Sequence, residues 1–430
     1  MVPEGERESA TRDDCYVSNA DLSCDVLVVG AGPAGSGTAA WAARNGLDVL
    51  LADAAVFPRD KPCGDGLTPR AIAELDHLGL GDWLGSQAVN KGLRASGFGR
   101  TLYLPWPGGS LPNRGGAAPR LELDARIRDV ALAGGVRTLE GARAIDIRRN
   151  GARVEAVVFK NSEGTFDVAC QRLVIADGAK SQLGRKLGRQ WHKTTVYGVA
   201  ARAYIKSDRA DDPWISSHLE LRGTQDELLS GYGWIFPLGD GEVNIGVGTL
   251  ATAKHPADVN LRQLITHYTD GQRRDWKLQG DLRDTWSALL PMGGAVSEVA
   301  GKNWLMVGDA AGCVNPLNGE GIDYGLETGR LGAELLAQGA KADLATMWPS
   351  TLQHHYGPAF SAARRLAGLL TVPGFLPKAG PVGMRSTTLM RIALRVMGNL
   401  VTPEDTDALA RVWRTAGRMS VRLDDRPPFS

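Results

Sequence analysis

Gly30, Gly32 and Gly35 lie in the short stretch "GAGPAG", and Asp53 follows at the end of the next apolar run. Glycine permits a tight turn at Gly30, lets a phosphate group approach the backbone at Gly32, and lets a following helix pack closely at Gly35. An acid about twenty residues beyond such glycines accepts hydrogen bonds from a ribose. The spacing therefore predicts a dinucleotide site, and these residues alone leave NAD and FAD both open.

The elements that would position these residues are a strand, a helix and a second strand. "CDVLVVG" is an apolar, β-branched run typical of a buried parallel strand, and "LDVLLAD" is a second one that ends at Asp53. The helix between them extends to Gly46, and its N-terminal end would stabilise phosphate charge. Its first turn adds further predicted cofactor contacts, namely Pro33, Ala34 and Ser36. The structural alternative is a tight strand–helix turn without a ligand.

Two later strands also end in an acid and a glycine. "LVIADGAKSQLGR" ends its apolar run at Asp177, and "NWLMV" leads into the glycine-rich stretch "GDAAGCVNPLNGEGIDYG", which contains Asp309. Glycines there allow backbone to approach a flat or charged ligand, because they lack a Cβ atom. A helix N-cap is the structural alternative for Asp309.

The order of these motifs resembles that of FAD-binding proteins related to the aromatic hydroxylases. The resemblance implies that Asp309 binds the ribityl hydroxyls of FAD and that Gly321 and Ile322 open a helix facing the flavin. It also implies that Arg120 approaches FAD and that the backbone of Ala144 contacts adenine. A salt bridge at a helix N-terminus is the alternative for Arg120.

Two features set limits on the resemblance. Gly184 stands where that family's middle motif has arginine, so the role of Arg185 is open. The sequence contains no second complete glycine fingerprint, so electrons are expected from a transiently bound donor or a protein partner.

The segments "FPRDKPCGDGLTPRA" and "GYGWIFPLGDG" resemble the geranylgeranyl-reductase family of FAD enzymes, which saturate isoprenoid double bonds. "LLPMGGAV", "NPLNGEGIDYGLETGRL" and the terminal "DRPPFS" resemble its actinobacterial menaquinone-reducing subgroup over nearly the whole chain. The resemblance implies that FAD serves to reduce one double bond, in the second (β) isoprene unit, of the menaquinone tail, for example menaquinone-9 to dihydromenaquinone-9. It also brings the loop of Cys63, Gly64, Asp65 and Gly66 close to the flavin.

Reduction of an unpolarised alkene needs a proton as well as a hydride, and several residues are candidate participants. Cys63, Tyr232 and Trp234 are the predicted catalytic residues, and Cys313 is a further candidate proton donor. Cys63 has an alternative interpretation as a small residue that lets its loop approach the cofactor. Trp234 and nearby apolar residues suit a tunnel for a prenyl chain, or they fill the core of a sheet.

The predicted fold is α/β, with a Rossmann-like FAD-binding domain of the aromatic-hydroxylase (glutathione reductase 2) type, a mixed β-sheet substrate domain and a helical C-terminal region. The FAD domain is discontinuous, with segments 24–80, 115–190 and 290–345. The substrate domain comprises 81–114 and 191–289, and the C-terminal region comprises 346–430. Residues 1–23 are predicted to form a disordered arm.

Composition narrows the class of protein and its compartment. The formal net charge of +1 gives no indication of a nucleic-acid partner. The cysteines are scattered without a CxxC pair, and the histidines lack metal-ligand spacing, so we expect a reducing compartment and no metal. No apolar run suggests a signal peptide or a membrane span.

The C-terminal third is basic and amphipathic. Six basic residues and no acids lie between 356 and 402, and Leu389, Ile392, Val396 and Leu400 would share one helix face. The basic residues are Arg364, Arg365, Lys378, Arg385, Arg391 and Arg395. This pattern favours peripheral contact with an anionic membrane, at its cytoplasmic face. The alternative is a helix that packs its apolar face on the FAD domain.

Three other functions are compatible with the sequence. An FAD-dependent monooxygenase or halogenase would use the same scaffold, and a reductase of another polyprenyl lipid would use the same chemistry. A prenyl-binding escort protein is the non-enzymatic alternative, and the complete dinucleotide motif argues against it.

Overall fold

The structure is a computed structural model that describes residues 22–339 and 343–430. All of the predicted N-terminal arm except its last two residues lies outside these ranges. The strands are β1 (Ser23–Val29), β2 (Val49–Ala52), β3 (Gly66–Leu67), β4 (Ala88–Asn90), β5 (Gly92–Gly97), β6 (Arg100–Pro105), β7 (Gly115–Ala117), β8 (Arg137–Leu139), β9 (Arg143–Asn150), β10 (Arg153–Lys160), β11 (Thr165–Ile175), β12 (Gln190–Trp191), β13 (Tyr197–Ser207), β14 (Ile215–His218), β15 (Gly231–Pro237), β16 (Glu242–Ala251), β17 (Leu278–Leu290), β18 (Val296–Ser297), β19 (Ala300–Gly301) and β20 (Trp304–Met306).

The helices alternate with strands in the N-terminal half and dominate the C-terminal quarter. They are α1 (Pro33–Arg44), α2 (Pro69–His77), α3 (Gly81–Gly85), α4 (Arg120–Ala133), α5 (Gln182–Lys186), α6 (Leu261–Trp276), α7 (Ile322–Leu336), α8 (Leu344–Leu370), α9 (Phe375–Met384), α10 (Thr387–Met397) and α11 (Ala408–Val421), with one 3-10 turn at Gly308–Ala311.

An eight-stranded sheet forms the first layer. Its main path runs β19-β20-β11-β1-β2-β8, and β9 and β10 extend β11 as an antiparallel pair. β20, β11, β1, β2 and β8 are parallel, and β1 is buried on both faces because helices cover the sheet. The carboxyl ends of β1, β2 and β20 therefore meet at one edge, where parallel α/β sheets bind ligands.

A seven-stranded sheet forms the second layer, in the order β17-β13-β16-β15-β14-β5-β6. All its pairs are antiparallel except β14 with β5. Ile235 and Ile245 lie in the core that α6 covers on one face. Tyr232, Trp234 and Phe236 alternate with Ile235 along β15, so their side chains lie on the opposite face.

These two sheets and the C-terminal helices confirm the predicted fold class. The strands of the second sheet come from the two segments predicted to bind substrate, and those of the first come from the predicted FAD-binding segments. The exact domain limits stay a prediction.

The predicted amphipathic face in the C-terminal region is partly wrong. α10 ends at Met397, so Leu400 lies beyond it and is buried, at 3% exposure, in a cluster with Leu394. Val396 is half-buried, whereas Leu389 and Ile392 are exposed. Packing of α10 on β6 explains the difference, because Leu394 faces the protein from the helix and Leu400 joins the same buried cluster after the helix has ended.

Three of the six basic residues in this region form hydrogen bonds or ion pairs within the protein. Arg364 is buried and donates to the Gly293 carbonyl oxygen at 2.6 Å. Arg365 pairs with Asp424, and Arg395 pairs with two acids that follow α10. The remaining three, Lys378, Arg385 and Arg391, are exposed. None of the described helices is both long enough and apolar enough to cross a membrane.

A buried amide joins three strands at the edge of the first sheet. The Asn303 side chain accepts from the Val154 N–H and donates to the carbonyl oxygens of Val154 and Gln171, at 2.8–2.9 Å. Asn303→Ala would leave these backbone groups without partners, so we expect a loss of about 2–4 kcal/mol of stability. Thermal unfolding measures it, with Asn150→Ala, at an exposed site, as the control. An unchanged melting temperature for Asn303→Ala would contradict the role given to this amide.

Candidate active site

The turn between β1 and α1 has no room for side chains at two of its glycines. A Cβ atom on Gly30 would lie 2.3 Å from the Ala176 carbonyl oxygen, and one on Gly35 would lie 1.7 Å from the Gly30 carbonyl oxygen. Gly30 also has a positive φ of 105°. These two glycines are therefore required by the fold itself.

Gly32 differs from Gly30 and Gly35 because a Cβ atom there would clash with no protein atom. The nearest atoms to an added Cβ would be the guanidinium nitrogens of Arg59 and Arg120 and Nζ of Lys61, at 3.6–4.0 Å. Gly32 is the N-cap of α1, and no side chain caps that helix. Three cations and free helix N–H groups around an open space suit a pyrophosphate. Of the other predicted contacts in the first turn, Pro33 and Ser36 are buried and Ala34 is partly exposed.

Two interpretations of Arg120 were made from the sequence, an approach to FAD and a salt bridge at a helix N-terminus, and its position is compatible with both. It is buried and forms a bidentate ion pair with Asp124, at 2.6 and 2.8 Å, and Arg59 donates to the same carboxylate at 2.7 Å. One carboxylate thus holds two guanidinium groups beside Gly32. The salt bridge fixes the position of Arg120 and leaves its charge facing the candidate phosphate site.

Asp53 lies at the end of β2, where its carboxylate oxygens accept from the N–H groups of Ala31 and Ala55 at 2.7 and 2.8 Å. The Ala142 N–H donates to the Asp53 carbonyl oxygen, so β9 begins beside it with Ala144. The predicted ribose acid and adenine contact therefore lie together at one edge of the sheet.

Asp309 lies in the 3-10 turn that follows β20. An added Cβ on Gly321, the N-cap of α7, would lie 3.1 Å from Asp309 Oδ1, so this carboxylate lies at the start of α7 with Ile322. No hydrogen-bond donor in residues 22–339 or 343–430 contacts the carboxylate. No side chain caps α7 either. A partly exposed acid without a donor and an uncapped helix end fit the ribityl chain and the flavin ring of FAD.

The turn with Asp309 has a support that the sequence did not reveal. Arg189 donates to the carbonyl oxygens of Ala310, at 2.6 Å, and Asp309, at 3.4 Å. Arg189 therefore supports this turn, while Arg185 lies exposed on α5. Nothing in the spacing of the middle motif distinguished these arginines.

The loop from Cys63 to Gly66 is fixed to the second sheet by Asn244. Asn244 Nδ2 donates to the Cys63 carbonyl oxygen and to Asp65 Oδ2, both at 2.9 Å, and Tyr204 donates to the same oxygen at 2.6 Å. Asp65 has a positive φ of 61° and is fully buried, and burial raises its pKa to about 6. Neither Asn244 nor Tyr204 was predicted as a site residue, because their bonds to this loop join segments that are far apart in the sequence.

Aromatic side chains of β15 lie against this loop. Added Cβ atoms on Gly64 and Gly66 would lie 3.3 Å and 2.8 Å from the Phe236 ring. Trp234 donates to Asn244 Oδ1 at 2.9 Å, and its ring centroid lies 6.0 Å from that of Tyr232. The structure therefore brings the predicted catalytic residues Cys63, Tyr232 and Trp234 into one region.

Cys63 and Tyr232 both hold their protons at neutral pH. Burial raises the pKa of the Cys63 thiol, and it also raises the pKa of Tyr232. The Tyr232 hydroxyl donates to the Asn318 carbonyl oxygen at 2.5 Å. Cys313 is fully buried. Among the described residues, no group of three acids, histidines or cysteines could hold a metal ion.

Comparisons with known proteins agree with this geometry. The family model described as "FAD binding domain" matches residues 23–341. The menaquinone reductase of Mycolicibacterium smegmatis is 61% identical over 407 residues, which cover 94% of this chain and 99% of that protein. The chain belongs to the menaquinone reductase family of FAD-binding proteins. It is an FAD-dependent oxidoreductase.

More distant relatives preserve the same architecture. A digeranylgeranylglycerophospholipid reductase of Methanopyrus kandleri is 27% identical over 372 residues, covering 81% of this chain and 91% of that one. A geranylgeranyl bacteriochlorophyll reductase-like protein of Thermoplasma acidophilum has the same fold, with a TM-score of 0.73 at 19% identity, covering 94% and 99% of the two chains. The match of residues 23–341 to the FAD binding domain confirms FAD as the cofactor, while the roles of individual site residues stay predictions.

Gly32→Ala tests the candidate phosphate site. Because the space beside Gly32 is open within the protein, the variant should fold normally, but its methyl group would occupy the space of the pyrophosphate. We expect FAD to bind at least tenfold more weakly, a loss of about 1.4 kcal/mol. Titration of apoprotein with FAD measures it, and Gly271→Ala, on α6 with no atom within 4 Å, is the control. Equal FAD affinity for Gly32→Ala and wild type would contradict this site.

Asp65 makes stability depend on pH. Its pKa in the folded protein is about 6, above the ordinary value of 3.8, so its ionisation destabilises the fold as pH rises between these values. The free energy of unfolding of Asp65→Asn should therefore equal that of wild type near pH 4 and exceed it by about 3 kcal/mol above pH 7. Unfolding across this pH range measures the difference, with Asp281→Asn, at an exposed site, as control. A constant difference at all pH values would contradict the assignment.

Proposed function

We propose that this protein reduces one isoprenyl double bond in the side chain of menaquinone. The observation that carries the proposal is 61% identity, over 94% of this chain, with a protein named menaquinone reductase. The second (β) isoprene unit, as in conversion of menaquinone-9 to dihydromenaquinone-9, is the proposed position. That position is supported by the resemblance of the sequence motifs to the menaquinone-reducing subgroup.

Residues of this chain would hold successive parts of the cofactor. Gly32 with its three cations would bind the pyrophosphate, Asp53 the adenosine ribose, and Asp309 the ribityl chain. The N-terminal end of α7 would stabilise negative charge on the flavin ring. When bound, FAD in its reduced form supplies a hydride. The electrons that reduce it would come from a transiently bound donor.

The surface beside the Asp309 loop suits a hydrocarbon chain. Gly319 lies close to Leu290 and Met292, since an added Cβ atom would lie 3.2 Å and 3.3 Å from their side chains. Tyr232 and Trp234 lie on β15, and the Tyr232 hydroxyl donates to the carbonyl oxygen of Asn318, next to Gly319. Aromatic faces also stabilise a developing cation, which protonation of an alkene produces.

We also propose that the protein contacts the membrane through a basic apolar patch. Its apolar members are exposed residues of α8 to α10 and their connections, namely Leu366, Leu369, Val372, Val382, Leu389 and Ile392. Its basic members are Lys378, Arg385 and Arg391. Apolar side chains with cations and no acid between 356 and 402 suit an anionic bilayer at the cytoplasmic face. A polyprenyl quinone resides in the bilayer, so this contact would give access to it.

The menaquinones of cells that lack the gene test the substrate. We expect the dihydro form to disappear on deletion and to return with wild type and with Asp281→Ala, an exposed control. Asp309→Ala should fail to restore it, because the ribityl ligand is lost. Mass spectrometry of extracted quinones measures both forms. An unchanged profile on deletion would exclude menaquinone and direct attention to other prenyl lipids. Oxygen consumption coupled to substrate would instead favour a monooxygenase or halogenase.

Charge reversal tests the membrane patch. The triple variant Lys378→Glu, Arg385→Glu, Arg391→Glu should lose most binding to vesicles of anionic lipid, because each cation near the surface contributes about 1 kcal/mol. Arg143→Glu, Arg148→Glu, Lys160→Glu, at exposed sites on β9 and β10, is the matched control. Vesicle sedimentation measures the bound fraction. Equal binding of both triple variants would contradict this patch.

A further inference from the structure

The proposed reaction needs an acid as well as a hydride, and this question rests on the proposed function. Two of the predicted catalytic residues already donate their protons in hydrogen bonds within the protein. Tyr232 donates to the Asn318 carbonyl oxygen at 2.5 Å, and Trp234 donates to Asn244 Oδ1 at 2.9 Å. Cys63 is a weak acid whose pKa burial raises further. The region contains a stronger acid that the sequence did not single out.

Glu320 lies where the three predicted flavin-contacting segments meet. Its Oε1 accepts from the Thr68 hydroxyl at 2.5 Å, just beyond the Cys63–Gly66 loop. Its neighbour Asn318 accepts from Tyr232 on β15, and its neighbour Gly321 lies beside Asp309. Glu320 Oε2 is buried and has no hydrogen-bond partner among the described residues. A buried carboxyl oxygen without a partner is costly unless it carries a proton or meets a ligand.

The surroundings favour the protonated form of the Glu320 carboxyl. Burial raises its pKa well above the ordinary value, and the neighbouring charge of Asp323 raises it further. Asp323 is itself fully buried, and its Oδ1 has no hydrogen-bond partner in the part of the chain that the structure describes. The titratable and charged groups that face Glu320 are Asp323 and Tyr324 of α7, Arg70 of α2 and Tyr232 of β15.

The geometry points to Glu320 as the acid that gives its proton to the isoprenyl double bond. The π bond breaks, the proton of Glu320 forms a C–H bond at one alkene carbon, and the hydride forms a C–H bond at the other. Reduced FAD, when bound, would supply the hydride with its two electrons and would be left oxidised, while the alkene would be reduced to the alkane. Glu320 is left as a carboxylate, which solvent reprotonates before the next turnover.

The site also stabilises the carboxylate that this step leaves. The Thr68 hydroxyl donates to it, Arg70 lowers its pKa, and it lies immediately before the N-terminal end of α7. These groups favour the charged form, whereas burial and Asp323 favour the neutral form. Opposed contributions of this kind allow one carboxyl to hold a proton at rest and to release it during the reaction.

Single-turnover kinetics with Glu320→Gln test the inference. Holoenzyme is reduced with dithionite without oxygen and mixed with menaquinone in detergent micelles. Glu320→Gln should bind FAD and accept electrons as wild type does, yet form dihydromenaquinone at least a hundredfold more slowly. In wild type the rate should fall as pH rises through the pKa of Glu320, and this dependence should vanish in the variant. Glu334→Gln, on the exposed side of α7, is the matched control.

Thr68→Val is a second variant that preserves folding, since Thr68 caps α2 without a side-chain hydrogen bond. Losing its hydroxyl should slow the step and move the fall in rate to higher pH, because the carboxylate loses a donor. Infrared difference spectra provide a readout independent of turnover, with a protonated-carboxyl band at neutral pH in wild type that Glu320→Gln lacks. If Glu320→Gln forms dihydromenaquinone at the wild-type rate, or with the wild-type pH dependence, Glu320 is not the acid. The proposed function would be unaffected by that result. No dihydromenaquinone from wild type would overturn the proposed function and this inference together.

Discussion

The close packing of α1 against α7 is the contact on which the candidate site depends. An added Cβ on Gly329 would lie 2.7 Å from the Ala34 carbonyl oxygen, and one on Gly308 would lie 2.8 Å from Ala34 Cβ. Two helices approach this closely only where their facing residues are small. The contact brings the turn at Gly30–Gly35 to the Asp309 turn, although most of the chain separates them in sequence. The predicted ligands of the pyrophosphate and of the ribityl chain thereby lie close together.

A second connection joins this cofactor layer to the sheet that faces it. Asn244 receives the Trp234 N–H and donates to the loop of Cys63 and Asp65, so one amide links β15, β16 and that loop. Since Asn244 is fully buried, replacing it would leave several polar groups without partners. This connection sets the distance between the aromatic face of β15 and the predicted flavin-contacting loop.

The sequence was sufficient for features that depend on local spacing. The strand–turn–helix–strand unit, the acid at the end of β2 and the helix after Gly321 lie where the motifs predicted them, because glycine and apolar periodicity determine such elements directly. The resemblance of motifs also led to the correct family. Contacts between distant segments were not predictable in this way. Arg189, Asn244 and Glu320 were not predicted as site residues, although Glu320 lies in the glycine-rich stretch of Asp309, because their roles depend on contacts with segments far away in the sequence.

The C-terminal region is a second case in which contacts between distant segments could not be predicted from the sequence. Six basic residues suggested one continuous membrane surface, but Arg364 turns inward to the Gly293 carbonyl oxygen and Arg395 pairs with acids after α10. Composition gave the sign of the charge, whereas tertiary packing decided which charges remain exposed. A smaller patch of three cations with exposed apolar neighbours results.

In the proposed function, the flavin of this protein delivers its electrons to a carbon–carbon double bond of a quinone tail. The decisive experiment mixes purified holoenzyme, reduced without oxygen, with menaquinone. We expect the absorbance of oxidised flavin to return without oxygen and dihydromenaquinone to form in equal amount. Flavin that stays reduced until oxygen is admitted, with the menaquinone tail unchanged, would contradict it.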